Sequence, residues 1–349
     1  MKDFVKGVNL GGWLSQYRTY DHEYFRTFIT RHDIEQIASW GMDHVRLPVD
    51  YPVIEADGAP GVPLERGYGY IDECLGWCED AGLAVILDVH EAPGFTFTNE
   101  LEEETKGVNR LFDDAAVQDR FVALWETIVR RYRDARVPII FELLNEVVIP
   151  DVAPWNHLIR RLVPAIRAIA PDSTIMIGGN HNNAVAGLKD LVVLDDPRVV
   201  YTFHYYEPLL FTHQNAYWSA APREWGEKPS YPGDFPALAE FLAEAPQHRA
   251  DHAQFVGRRD DRDLLRELLQ PALDFEVRTG RELYCGEFGV ADWIEPESRR
   301  GWLADFMGLL RANGIGRALW TYKQMDFGLV DGDGRVIDPD YLRILKDAG

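Results

Sequence analysis

The feature that most constrains this chain is an alternation that runs almost its whole length, in which short β-branched runs are separated by longer segments with helical spacing. Strand-like runs fall at 4–9, 43–48, 84–90, 139–146, 174–178, 199–205, 282–288 and 317–322, and helical spacing falls at 33–40, 71–81, 116–133, 155–169, 264–279, 298–312 and 341–346. Repeated βα units are the pattern of a parallel sheet, because parallel neighbours must be joined by a long crossover. Eight such strands favour closure into a (β/α)8 TIM barrel. An open doubly wound sheet would normally have fewer parallel strands and often a phosphate-binding first turn, and the glycines of 7–12 do not spell GxGxxG. The 349 residues are enough for one barrel-sized domain, so 1–349 is expected to be a single unit.

One stretch breaks the rhythm. Residues 207–263 are rich in proline, aromatic residues and mixed charge, too long for an ordinary βα loop and too aromatic for a disordered linker. They are expected to form an inserted subdomain after strand six. In a barrel that loop emerges on the C-terminal face, so the insertion should border a cleft there; a capping flap without substrate contact is the alternative.

Composition narrows the partners. With 57 Asp+Glu against 36 Lys+Arg, a net charge of −21 leaves no basic surface for nucleic acid or anionic lipid, and the longest apolar runs are strand-sized. Cys74, Cys78 and Cys285 are too few for a disulfide framework and read as reduced thiols. The first strand begins almost at Met1 without a basic or apolar leader, which points to a cytoplasmic protein, or a secreted one if a leader has been removed. A monomer is expected.

Several polar residues close the strand candidates, where the side chains of a barrel converge: Arg46 on strand two, His90 on three, Asn145 and Glu146 on four, His204 and Tyr206 on six, Glu287 on seven and Trp320 on eight. Taken singly these are ordinary. A lone Glu is most often a salt-bridge partner, a lone His or Trp most often core, and Asn145 could be a helix N-cap. Two glutamates on strands four and seven, across the mouth from each other, are what glycosidic cleavage needs: one carboxyl protonates the leaving oxygen while the other attacks or activates water. A gap of about 5 Å would give retention, and about 6.5–9.5 Å inversion.

The motifs FELLNEV at 141–147 and YCGEFGV at 284–290 resemble the acid/base and nucleophile motifs of glycoside hydrolase family 5. GVNLGGW at 7–13, DHVRLPVDYP at 43–52, DVHEAPG at 88–94, FHYY at 203–206 and ALWTYKQMDFG at 318–328 extend the likeness over almost the entire chain, most closely to single-domain bacterial endoglucanases with a long insertion after strand six. The resemblance implies a retaining endo-β-glucanase acting on β-1,4 or mixed β-1,3/1,4-glucans without metal or organic cofactor. Glu146 would be the acid/base and Glu287 the nucleophile. Asn145 would bind the sugar 2-hydroxyl, Arg46 and Tyr206 would hold Glu287 ionised, His90 and His204 would line the −1 subsite, and Trp320 would form its stacking floor. Other specificities of the family remain open, among them mannanase, exo-β-glucosidase and transglycosylase action, as does a catalytically silent carbohydrate-binding barrel.

Other signals carry less. Trp13, Tyr17, Phe95, Phe97, Tyr205, Phe211, Trp218, Trp225 and Trp293 fall in loops that could flank a saccharide groove, or could pack the insertion. Asp331-Gly-Asp-Gly lacks the twelfth-position Glu of a calcium loop, and Leu342 stands there instead. Asp88 with His90 suggests a metal-dependent hydrolase, but no His-x-His or further ligand set is near. The His-rich stretch 179–183 is equally poor in ligand spacing, and the acidic block 102–104 reads as solvated surface.

Overall fold

The computed structural model describes residues 1, 3–97 and 109–347, so the acidic block 102–104 lies outside the described residues. Eight parallel strands close on themselves: β1 Lys6–Asn9, β2 His44–Asp50, β3 Ala84–Glu91, β4 Ile139–Glu142, β5 Thr174–Gly178, β6 Val199–Tyr205, β7 Leu283–Phe288 and β8 Gly316–Leu319. Each pairs with the next in sequence and β8 returns to β1, so no edge strand is left open. Around them run α1 Arg31–Ser39, α2 Glu65–Ala81, α3 Ala115–Tyr132, α4 Ala153–Ile169, α5 Arg262–Thr279, α6 Pro296–Ala312 and α7 Pro339–Asp347. The β5–β6 connection has only a 3₁₀ turn, Val185–Leu188.

Local chemistry fixes these elements. Thr30 and Asp33 form a capping box that starts α1, and the Asp114 and Asp261 carboxylates accept backbone N–H groups at the starts of α3 and α5. Gly82 and Gly280 end α2 and α5 in the left-handed conformation that glycine adopts without penalty. Helix α4 buries Trp155, Leu158, Ile159, Leu162 and Ile166, one stripe at helical spacing, and the Trp155 Nε1 donates to the Gly178 carbonyl at 2.9 Å, tying the helix to the end of β5. Outward strand residues such as Val85 and Leu87 join this helical layer in one apolar core. Inside the barrel a second apolar cluster, Phe4, Ala84, Ile86, Ile140, Met176, Val200, Tyr284 and Ala318, plugs the end at which the strands begin.

The structure moves three boundaries. Strand β2 runs on to Asp50, so Arg46 lies midway along it rather than closing it. Strand β4 pairs only as far as Glu142, and Asn145 and Glu146 stand beyond it. The apolar Leu143 and Leu144 extend the sequence pattern past the ladder, but the chain there is held by single bonds, Leu143 N to Met176 O at 3.0 Å and Asn145 N to Val89 O at 3.0 Å. Strand β8 stops at Leu319, leaving Trp320 and Tyr322 in the loop, where the Trp320–Thr321 peptide is cis. Strand β7 also holds one more residue than β6 against it: Phe203 faces Cys285 and His204 faces Glu287, with Gly286 between them unpaired.

Between β6 and α5 the chain forms short helices, among them Ala220–Trp225 and Leu238–Glu244, and a two-residue ribbon joining Gly233–Asp234 to Arg259–Asp260. Leu210, Trp225, Phe235, Leu238, Phe255 and Leu264 belong to a small apolar core of its own. Cys74, Cys78 and Cys285 are free and buried, and among the described residues no helix is long and apolar enough to cross a membrane.

Candidate active site

Arg46 is the hub of the barrel mouth. Fully buried on β2, it donates Nε and Nη2 to the two oxygens of Glu142 at 2.7 and 3.0 Å, Nη1 to Glu287 Oε1 at 2.8 Å and to Asn9 Oδ1 at 2.9 Å, and Nη2 also to Asn145 Oδ1 at 2.9 Å. Asp88 Oδ2 lies 3.0 Å from Nη2. A planar guanidinium with five N–H groups is the side chain able to serve so many acceptors at fixed angles. Burial alone would lower its pKa, but Asp88, Glu142 and Glu287 more than offset that and hold it well above its ordinary value.

Three carboxyls therefore share one cation, with a fourth, Glu146, close by. Burial pushes Asp88 and Glu146 up to about 7, and for Glu146 the Asn182 amide and Arg46 pull the other way. Glu142 and Glu287 are raised too, burial again dominating. For Glu287 the opposing pulls come from His204 and Arg46, and the Tyr206 hydroxyl donates to Oε2 at 2.9 Å. Like charges so near one another cannot all ionise, and protons must be shared among them.

The two histidines are neutral at ordinary pH, because burial lowers His90 to about 3 and His204 to about 4. Arg46 fixes the Asn145 amide by bonding its oxygen, so Asn145 Nδ2 donates to His90 Nε2 at 3.2 Å and His90 Nδ1 keeps its hydrogen for Asp88 Oδ2 at 2.7 Å. The ring of Trp320 lies parallel to His90, centroids 5.9 Å apart. His204 Nδ1 sits 2.7 Å from Glu146 Oε1 and 3.6 Å from Glu287 Oε2. Gly286 leaves room for that ring, since a Cβ there would stand 3.1 Å from His204 Nε2 and 2.8 Å from Thr202 Oγ1.

All eight residues singled out in the sequence thus meet at one mouth. Reasoning from strand ends missed three others. Glu142 and Asn9 face inward one step below the rim, where only their place two residues from Asn145 and opposite Arg46 could have flagged them. Asn182 donates to Glu146 Oε2 at 3.3 Å from a turn in which His181, Asn182 and Asn183 all have positive φ, +57°, +54° and +55°. The run of Asn and His, residues that tolerate that conformation, was the available signal.

Chemically, the arrangement offers a buried carboxyl poised to hold a proton near neutrality, facing a second carboxyl that accepts two hydrogen bonds. One atom from each of Glu146, His204 and Glu287 lies within 4.8 Å of the others, which also makes them the set among the described residues able to share a cation.

Comparison with known proteins supplies context. The family model described as Cellulase (glycosyl hydrolase family 5) matches residues 5–326. The chain is 43% identical to Endoglucanase C of Acetivibrio thermocellus, covering 99% of this chain and 98% of that one, and 36% identical to Cellodextrinase A of Ruminococcus flavefaciens, covering 90% and 84%. Among solved structures it is similar to endoglucanase Cel5A from Thermotoga maritima, with a TM-score of 0.78, 25% identity and coverage of 99% and 97%; that protein has been solved with cellobiose and with mannotriose.

Proposed function

The chain belongs to glycosyl hydrolase family 5 and is a glycoside hydrolase, and from that premise we propose that it is a retaining endo-β-glucanase in which Glu287 is the nucleophile and Glu146 the acid/base. The observation that carries this reading is the approach of the two carboxyls to within 4.8 Å, close to the separation of about 5–5.5 Å that lets a carboxylate attack carbon directly rather than through water.

In the first step a Glu287 oxygen bonds to the anomeric carbon as the glycosidic C–O bond breaks, and the Glu146 proton passes to the leaving oxygen. In the second, the Glu146 carboxylate takes a proton from water, whose oxygen displaces Glu287 from the sugar. Glu146, raised to about 7, is largely protonated at mildly acid pH as the first step requires. Arg46 and Tyr206 favour the charged form of Glu287 by donating to both its oxygens, at 2.8 and 2.9 Å, and this offsets its burial. The remaining Asn145 N–H suits the sugar 2-hydroxyl, whose bond tightens as positive charge develops on the ring. His90 and His204, both neutral, and the Trp320 ring would complete the −1 subsite.

The preferred substrates are β-1,4 or mixed β-1,3/1,4-glucans, in keeping with the names endoglucanase and cellodextrinase borne by the similar proteins. The mannotriose complex of the Thermotoga protein favours testing mannan beside them. The insertion, with its separate apolar core, is taken as a subdomain of the single 1–349 catalytic unit, and cytoplasmic action on oligosaccharides as a monomer is the expected setting.

The test is hydrolysis of β-glucans, mannan and xylan by wild type, Glu146→Gln and Glu287→Gln, with products sized early and with their anomeric form read by NMR. Each variant should lose on the order of 10²–10⁴-fold or more, and the first product should keep the β-configuration. Activity surviving Glu287→Gln, or an α-product, would overturn the mechanism.

A further inference from the structure

At the same end of the barrel the insertion frames a second feature. Between its 214–230 segment and the loop leading from β7 into α6 lies a cavity of about 720 Å³, lined among others by Gln214, Asn215, Tyr217, Lys228, Trp293 and Glu295. Two aromatic rings stand open on it, with Tyr217 72% and Trp293 44% exposed. Neither is loose. The Trp293 Nε1 donates to the Gln214 carbonyl at 2.7 Å, and both rings meet Trp218 edge-on, Trp293 at 5.8 Å and Tyr217 at 4.7 Å. Large rings held rigid yet left in water forgo burial that the fold could have used, as binding surfaces do.

Their neighbours lead back to the reacting groups. Trp218 packs on His213 at 5.9 Å and on Phe327 at 6.3 Å, and each of these packs on Tyr206, at 5.2 and 5.7 Å, whose hydroxyl bonds Glu287. A continuous set of ring contacts therefore ties the cavity to the nucleophile. Around the open rings stand two amides, an ammonium and a carboxylate. A pyranose needs that combination, a flat apolar surface for its C–H face and mixed donors and acceptors for its hydroxyls. The net charge of −21 disfavours an acidic polymer.

We propose that Tyr217 and Trp293 form an accessory binding site for a neutral β-linked glucan, engaging sugar residues of a long chain beyond those held at the catalytic carboxyls. The proposal rests on the glycosidase reading above. The site selects for length: it strengthens the capture of polymers and gives little to substrates too short to reach it.

The experiment compares kcat and KM of wild type, Tyr217→Ala and Tyr217→Ala/Trp293→Ala on soluble mixed-linkage β-glucan and on 4-nitrophenyl β-cellobioside. Two lost stacking contacts should reduce kcat/KM of the double variant about tenfold more on the polymer than on the cellobioside, through KM. Tyr217→Ala alone should lie between, and its exposed side chain keeps folding out of the question. Equal losses on the two substrates, or none, overturn the site. If wild type cleaves neither substrate, the catalytic reading fails, and the accessory site is judged by affinity electrophoresis in the same β-glucan: slower migration of wild type, relieved in the double variant, supports it, and unchanged migration refutes it.

Discussion

At the closed end of the barrel Ala84, Ile86, Ile140, Met176 and Val200 fill the interior with hydrocarbon, whereas one inward step further along the same strands stand Asp88, Glu142 and Thr202. The backbone repeats with a period of two throughout, so geometry does not separate the two layers. Their means of cohesion does. The floor is held by area and packing, which each residue contributes nearly on its own. The mouth is held by pairing, in which every carboxyl depends on Arg46 and Arg46 depends on all of them. A change in the floor should therefore remain a matter of stability, while a change in the mouth should reach both stability and chemistry.

The largest expected effect tests the mouth. Arg46→Met leaves Asp88, Glu142 and Glu287 buried without their cation and should cost about 3–5 kcal/mol by urea denaturation near neutral pH, with loss of nearly all turnover. The carboxyls would take up protons, so the deficit should shrink as the pH falls. A variant within about 1 kcal/mol of wild type would mean that the mouth does not hold itself together by pairing. Next comes the floor, where Ile86→Ala should cost about 2–5 kcal/mol yet leave kcat at 25 °C within about twofold of wild type, where about 1.4 kcal/mol would be tenfold. A tenfold fall in kcat of the folded enzyme would join the two layers that we separate.

The smallest effects lie in pH profiles. Turnover limited by the first step requires Glu146 protonated, so kcat/KM should fall as pH rises through about 7. Asn182 donates to this carboxyl and so favours its charged form. Asn182→Gly, which keeps the left-handed backbone available, should move that limb upward by a fraction of a pH unit, each unit being about 1.4 kcal/mol. Arg46, Asp88, His204, Tyr206 and Glu287 also face Glu146, and the variant leaves their contacts in place. A limb that stays put, or moves downward, would remove Asn182 from the acid/base environment.

How legible this was in the sequence follows the same division. The strands and helices of the barrel announced themselves through β-branched runs and helical stripes, because packing against a helical layer demands those residue types. Strand ends were blurred wherever apolar residues continue past the last ladder bond, as at Leu143 and Leu144. The motifs made Arg46, His90, Asn145, Glu146, His204, Tyr206, Glu287 and Trp320 conspicuous, and the fold brings them together. Glu142 and Asn9 stayed hidden because their meaning is a contact across the barrel, Arg46 to Glu142 spanning 96 positions of sequence. Asn182 stayed hidden because its role depends on three successive left-handed residues, a backbone path that residue types permit but do not prescribe.

The unpaired Gly286 turns the direction of the proposed nucleophile into a question of counting. Without that extra residue the side chains after Tyr284 would fall in step with those of β6, and position 287 would point at the helices instead of the mouth. Loops on this scaffold can gain or lose dozens of residues and leave the reacting groups where they are. Strand β7 tolerates no such drift, since deleting a single residue reverses its parity and turns the carboxyl away from its substrate. In a lineage of such chains, length should vary freely around the rim and be frozen between Tyr284 and Glu287.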